Sequence, residues 1–163
     1  MRSLGSVGKR ALVSLLLSLA LTTLAVADGV EGTWRLVKRQ LPDGTVQTPP
    51  TVVGLYTLTD GLRHFNLFFR TSNGKTAAIT VLSKFTITAR EYTETTTASS
   101  LDDGSGKPVV YDFSAQTKTT PVTRDGGRIS YKLPFEPPTL VFEGDKMTAT
   151  AKGMFVDYWE RLK

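Results

Sequence analysis

Residues 76–89, TAAITVLSKFTITA, decide the fold class. Ala77, Ile79, Val81, Phe85 and Ile87 share one parity, while Thr80, Lys84, Thr86 and Thr88 share the other. Successive side chains of a strand point to opposite faces, so this period of two predicts a strand with one buried and one wet face. Threonine is abundant in it, and β-branched side chains suit pleated sheets.

Similar short runs lie on both sides, separated by turn chemistry. Upstream, 32–41 stops at Pro42-Asp43-Gly44, 52–58 at Thr59-Asp60-Gly61, and 62–70 at Ser72-Asn73-Gly74. Asp-Gly and Asn-Gly pairs supply the positive φ angles of tight hairpins. Downstream, 91–101 and 109–120 flank Asp102-Asp103-Gly104-Ser105-Gly106-Lys107-Pro108, a composition suited to a mobile rim. A run over 128–135 puts Ile129, Tyr131, Leu133 and Phe135 on one face, and Pro137-Pro138 redirects the chain into 139–143. The turn Gly144-Asp145-Lys146 leads into a last run over 147–162. No helical stretch is strong enough for a crossover, so the expectation is an all-β antiparallel up-and-down barrel of about eight to nine strands. Closure removes exposed sheet edges. A two-sheet sandwich is the alternative.

The N-terminus reads as a targeting segment. Arg2, Lys9 and Arg10 precede an apolar stretch over 11–24, and Ala25-Val26-Ala27 has the small residues of a signal-peptidase site. The expected division is a signal peptide over 1–27 and a barrel domain over 28–163, located in the periplasm or outside the cell. The apolar run is short for a bilayer span of roughly 20 residues, so no stable membrane span is expected after cleavage. Of 20 bases and 15 acids, the leader holds three bases and no acid, leaving a mature balance of +2. That balance, with no basic run, argues against nucleic acid as a partner. With no cysteine there is no disulfide, thiolate chemistry or thioether-linked haem, and one histidine cannot build a multi-histidine metal site. No cofactor or metal is expected, and Asp102-Asp103-Gly104 and Asp125-Gly126-Gly127 read as turns, not calcium loops.

Gly32-Thr33-Trp34 opens the first run, Leu140 to Asp145 forms a Leu-Val-Phe-x-Gly-Asp hairpin, and Trp159-Glu160-Arg161 lies near the end. In these features the chain resembles the bacterial lipocalin-like domain family, a group of calycin-type barrels. The resemblance spans about 130 residues and implies a barrel with an interior sized for side chains or one small ligand. In physical terms, Gly32 lets the chain bend, Trp34 plugs that end, and Trp159 and Arg161 share a face. If the first and last strands pair, Arg161 can lie over an indole, a structural role for all four residues.

The parities that read as inward are strongly aromatic. Phe65, Phe85, Tyr111, Phe113 and Tyr131 are candidate walls of a ligand pocket, with Tyr56 and Arg63 near its presumed opening, where a base can bind a carboxylate. The same rings can equally fill a solid core. His64 is off the Phe65 parity and should point outward. Ser83, Glu94 and Asp112 lie within strands, but no nucleophile elbow or second histidine accompanies them, so no catalytic residue is assigned. The leading expectation is reversible binding of a small apolar or amphipathic molecule. A pocket enzyme of isomerase or cyclase type and a structural or interaction barrel are the alternatives.

Overall fold

A computed structural model describes residues 29–71 and 73–163. The expected leader and its cut before Asp28 lie outside the described residues. Twelve strands are formed: β1 (Gly32–Gln40), β2 (Val46–Gln47), β3 (Val52–Thr59), β4 (Leu62–Arg70), β5 (Thr76–Ile87), β6 (Glu91–Asp102), β7 (Val110–Asp112), β8 (Thr117–Asp125), β9 (Arg128–Lys132), β10 (Thr139–Glu143), β11 (Lys146–Ala151) and β12 (Phe155–Arg161). There is no helix among the described residues.

Ten of these strands form a closed antiparallel meander. The order is β1, β3, β4, β5, β6, β8, β9, β10, β11, β12, and β12 returns to pair with β1. Short β2 flanks the end of β1, and β7 flanks the second half of β6. The count exceeds the expected eight to nine because a turn at residues 152–154 divides the last run, where the Met154 N–H donates to the Ala151 carbonyl at 2.9 Å. Alternating apolar residues on both sides of Lys152-Gly153 disguise that turn as continuous strand.

The run expected over 109–120 is also divided, into β7 and β8. At the break, Thr96 Oγ1 donates to the Ser114 carbonyl at 2.8 Å and accepts from the Gln116 N–H at 3.0 Å. A bulge in β6 faces this break, since Leu82 pairs with Ala98 but Ser83 pairs with Thr96. Bulges bend a strand and disturb its ladder. Here the bulge and break together open the barrel wall.

Both ends of the chain meet where the barrel closes. Trp34 is fully buried, packs edge-on against Phe142 at 5.4 Å and donates its indole N–H to the Val30 carbonyl at 3.2 Å. Gly32 has a φ of 133°, and a Cβ there would come within 2.6 Å of the Arg161 guanidinium, so the position suits only glycine. Arg161 bonds the Glu31 and Gly29 carbonyls. Stacked rings continue the core from Phe142 to Tyr131 at 5.7 Å and from Tyr131 to Tyr92 at 4.2 Å. Farther along, Tyr56, Phe65 and Trp159 form a second aromatic group with centroids 5.7 to 6.3 Å apart. Much of the interior is therefore packed with rings.

Candidate functional site

The β4 sequence LRHFNLFF places Arg63 on the same parity as Phe65 and Leu67, all three buried. Alternation directs a guanidinium into the barrel, and its neighbours must satisfy it because an unpaired buried charge is very costly. Nε donates to the Tyr56 hydroxyl at 2.9 Å, Nη1 to Glu94 Oε1 at 2.7 Å, and Nη2 to Glu136 Oε1 at 2.6 Å. The expected position of Arg63 at a solvent-exposed opening is thus corrected: the side chain is fully buried, and its partners come from β3, β6 and the β9–β10 loop.

The two glutamates differ in what they have left to offer. Glu94 is buried and also accepts from Ser83 Oγ at 2.6 Å and from the Tyr92 hydroxyl at 3.0 Å. Three donors hold it as a fixed element of the scaffold, not as a free base. Glu136 accepts only the Arg63 bond among the described residues, and its side chain is 24% exposed. One guanidinium therefore faces two carboxyl groups, of which Glu136 reaches solvent.

Burial opposes the Arg63 charge, but the Tyr56 phenol and the Glu136 and Glu94 carboxyls outweigh it and raise its pKa well above the ordinary arginine value. Burial pushes the Tyr56 phenol up to about 12, against the opposing effect of Arg63. It also pushes Tyr92 and Tyr131 well above the usual phenol range. All three phenols stay neutral within the folded barrel at ordinary pH.

Beside this network a cleft of about 260 Å³ opens at the break between β7 and β8. Val81, Glu94, Ser99, Asp112, Phe135 and Glu136 are among its walls. Asp112 accepts the Ser114 N–H at 2.7 Å, and hydrogen bonding from the Ser114 side chain and then its N–H lowers the Asp112 pKa. The Lys118 ammonium sits 4.8 Å from the Phe135 ring centroid, so that ring already faces a cation.

Of the expected pocket residues, Tyr56, Phe65, Phe85 and Tyr131 are buried on the inner face, with Tyr56 and Arg63 in direct contact. Tyr111 and Phe113 are corrections: they are 64% and 73% exposed and stack on one another outside the barrel. Ser99 pairs with Asp112 and Ser100 with Tyr111, so the acid takes the inner position and the ring the outer. A shift of one residue inverts every side chain of a strand, and β7 has only three residues to reveal its parity. His64 is exposed and contacts Asn66 at 3.1 Å, away from the network.

Sequence reading missed Glu136, whose only local signal is an acid between Phe135 and Pro137-Pro138. It also missed a second buried ion pair, in which Arg39 Nε and Nη2 each donate to Asp157 at 2.7 Å. The guanidinium there lies 4.1 Å from the Phe155 centroid. Among the described residues no group of three or more histidine or acidic side chains could hold a metal ion. No protein-family model matches the chain, and no curated protein or solved structure matches it either.

Proposed function

We propose that this chain is an exported, lipocalin-like barrel that reversibly binds a small amphipathic molecule in the cleft beside Glu136. The observation that carries this reading is the half-exposed end of an otherwise buried network: Glu136 is held by Arg63 yet lines an open cleft. Ligand sites combine apolar walls with a few fixed polar groups, and here Val81 and Phe135 supply the former and Glu136 and Asp112 the latter. The acids favour a ligand whose polar end is a cation, with its apolar part against Phe135. A buried ion pair adds little to stability over an apolar replacement. Presenting Glu136 in one orientation is a use for it. The resemblance carried by Gly32, Trp34, Trp159 and Arg161 and the closed antiparallel meander support the lipocalin-like part, and the leader-like residues 1–27 support export.

A structural or interaction barrel is the second reading. It is favoured by the outer face of β3 to β5, where Val53, Leu55, Phe68 and Leu82 are exposed, and by Tyr111 and Phe113 nearby in the chain. Exposed apolar patches mark contact surfaces.

Fluorescence titration with two probes separates the readings. Dansylcadaverine carries an ammonium, while anilinonaphthalene sulfonate carries an anion on a similar apolar body. The cleft should take up the amine in preference to the sulfonate, and Glu136→Gln should weaken amine uptake about tenfold, equivalent to ~1.4 kcal/mol. If neither probe binds, or Glu136→Gln changes nothing, cleft binding fails and the interaction barrel stands.

A further inference from the structure

One edge of β6 is covered by β5, and the other is shared: β8 pairs with its first half and β7 with its second. β7 pairs with β6 alone, so its own far edge is uncovered. No backbone hydrogen bond outside that ladder holds residues 109–113 among the described residues. Backbone groups of an antiparallel strand alternate between its two sides, so a strand of three residues turns at least one N–H and C=O away from its partner. Such an edge is a template for a further strand. Val109, Val110, Tyr111 and Phe113 are all exposed along it, and the one charge within β7, Asp112, takes the inner position. Asp112 and Ser114 bound the cleft from β7 and the break after it, while Phe135 and Glu136 bound it from the β9–β10 loop. The cleft is therefore the opening in the wall between that strand and that loop.

We infer that β7 is a docking edge for an extended peptide segment, which adds a strand to the barrel wall and directs a lysine or arginine side chain into the cleft. In strand addition the main-chain hydrogen bonds supply affinity, and pockets for alternate side chains supply selectivity. Side chains of an added strand alternate between the faces as those of β7 do, so one that points inward beside Asp112 enters the cleft. Its volume of about 260 Å³ has room for one long side chain, not for a folded domain. Charge selects the kind of side chain. Asp112 accepts the Ser114 N–H but makes no ion pair among the described residues, and Glu136 keeps an exposed face beyond its bond to Arg63. Outward apolar side chains of the same segment lie beside Tyr111 and Phe113, which already stand exposed on that face. The seat of the cation is the one proposed for the cleft and rests on that reading, whereas the strand edge is a separate determinant.

The test is fluorescence anisotropy with end-labelled pentapeptides, run beside dansylcadaverine: Thr-Val-Lys-Val-Thr, Thr-Val-Glu-Val-Thr, and the first again with N-methylated backbone amides. The lysine peptide should bind about tenfold more tightly than either of the others. Amide hydrogen exchange within residues 110–112 should slow in its presence, and Asp112→Asn should narrow the preference for lysine over glutamate. An N-methylated peptide that binds as well as its parent overturns strand addition, and so does equal affinity for the lysine and glutamate peptides. Failure of the lysine peptide to bind while dansylcadaverine does overturns the inference and leaves the cleft reading standing. Failure of both removes the two together. A dimer in sedimentation equilibrium that excludes the peptide also overturns it, by assigning the edge to a second copy of the chain.

Discussion

The Arg161 guanidinium lies 4.2 Å from the centroid of the Trp34 indole, and the two residues are direct partners in the pairing that closes the barrel. The contact joins the first strand to the last. It also covers the indole of a fully buried plug, whose N–H is tied to Val30 and whose edge meets Phe142. Trp34→Ala removes the plug and should lower stability by ~3–5 kcal/mol, the range for deleting a buried large aromatic. Arg161→Met keeps a similar stem but loses the cation–π contact, worth ~0.5–2 kcal/mol, together with the hydrogen bonds to the Glu31 and Gly29 carbonyls, ~0.5–1.5 kcal/mol each. Urea unfolding of both variants checks the order. A larger loss at Arg161 than at Trp34 would reverse the assignment of plug and cover.

Gly54 is a glycine for reasons of space, not of backbone angle. The Trp159 ring occupies the place where its side chain would be. Gly54→Ala should therefore overpack the core and cost ~1–3 kcal/mol. Intrinsic fluorescence should change with it as Trp159 shifts. An unchanged urea midpoint would show that the indole does not pack on β3 in solution.

Arg63 holds two glutamates in place, and its loss leaves both without their shared cation. Arg63→Met should destabilise the barrel by ~3–5 kcal/mol, the range for breaking a buried ion pair by removing one partner. Adding Glu94→Gln and Glu136→Gln removes the stranded charges and should recover part of that loss. Thermal denaturation of the single and triple variants measures the coupling. A triple variant less stable than Arg63→Met alone would sink the account.

Raised phenol pKa values set the alkaline limit of the fold. Tyr56 keeps its proton to about 12 when folded but ionises near 10 when unfolded, because burial disfavours the phenolate. Between those values the folded state binds more protons, so stability falls as pH rises from about 10 to about 12. Tyr92 and Tyr131 shift in the same direction. Phenolate absorbance from these three should therefore appear together with the loss of near-ultraviolet circular dichroism. Their ionisation well before unfolding would contradict the burial described above.

Phe113 offers a complementary measurement on the outer surface. At 73% exposure it contributes little to the core, so Phe113→Ser should change stability by less than ~0.5 kcal/mol. A loss of several kcal/mol in urea unfolding would return the ring to the interior.

By itself the sequence determined the antiparallel all-β class, most of the turns, and the inward faces of β5 and β9, because alternation of apolar and polar residues reports burial wherever a run is long and one face is clearly apolar. Ile79, Val81, Phe85 and Ile87 in β5 meet that condition, as do Ile129 and Tyr131 in β9. Tyr111 and Phe113 do not, because Tyr111 stands on the outer parity of a three-residue strand and Phe113 just beyond its end, while Asp112 takes the inner position. The tertiary structure alone decided the site. Arg63 is buried because Glu94 and Glu136, 31 and 73 residues away along the chain, come to its two terminal nitrogens. Whether a charged side chain enters a core depends on partners that only closure of the barrel assembles, and no local pattern around Arg63 encodes them.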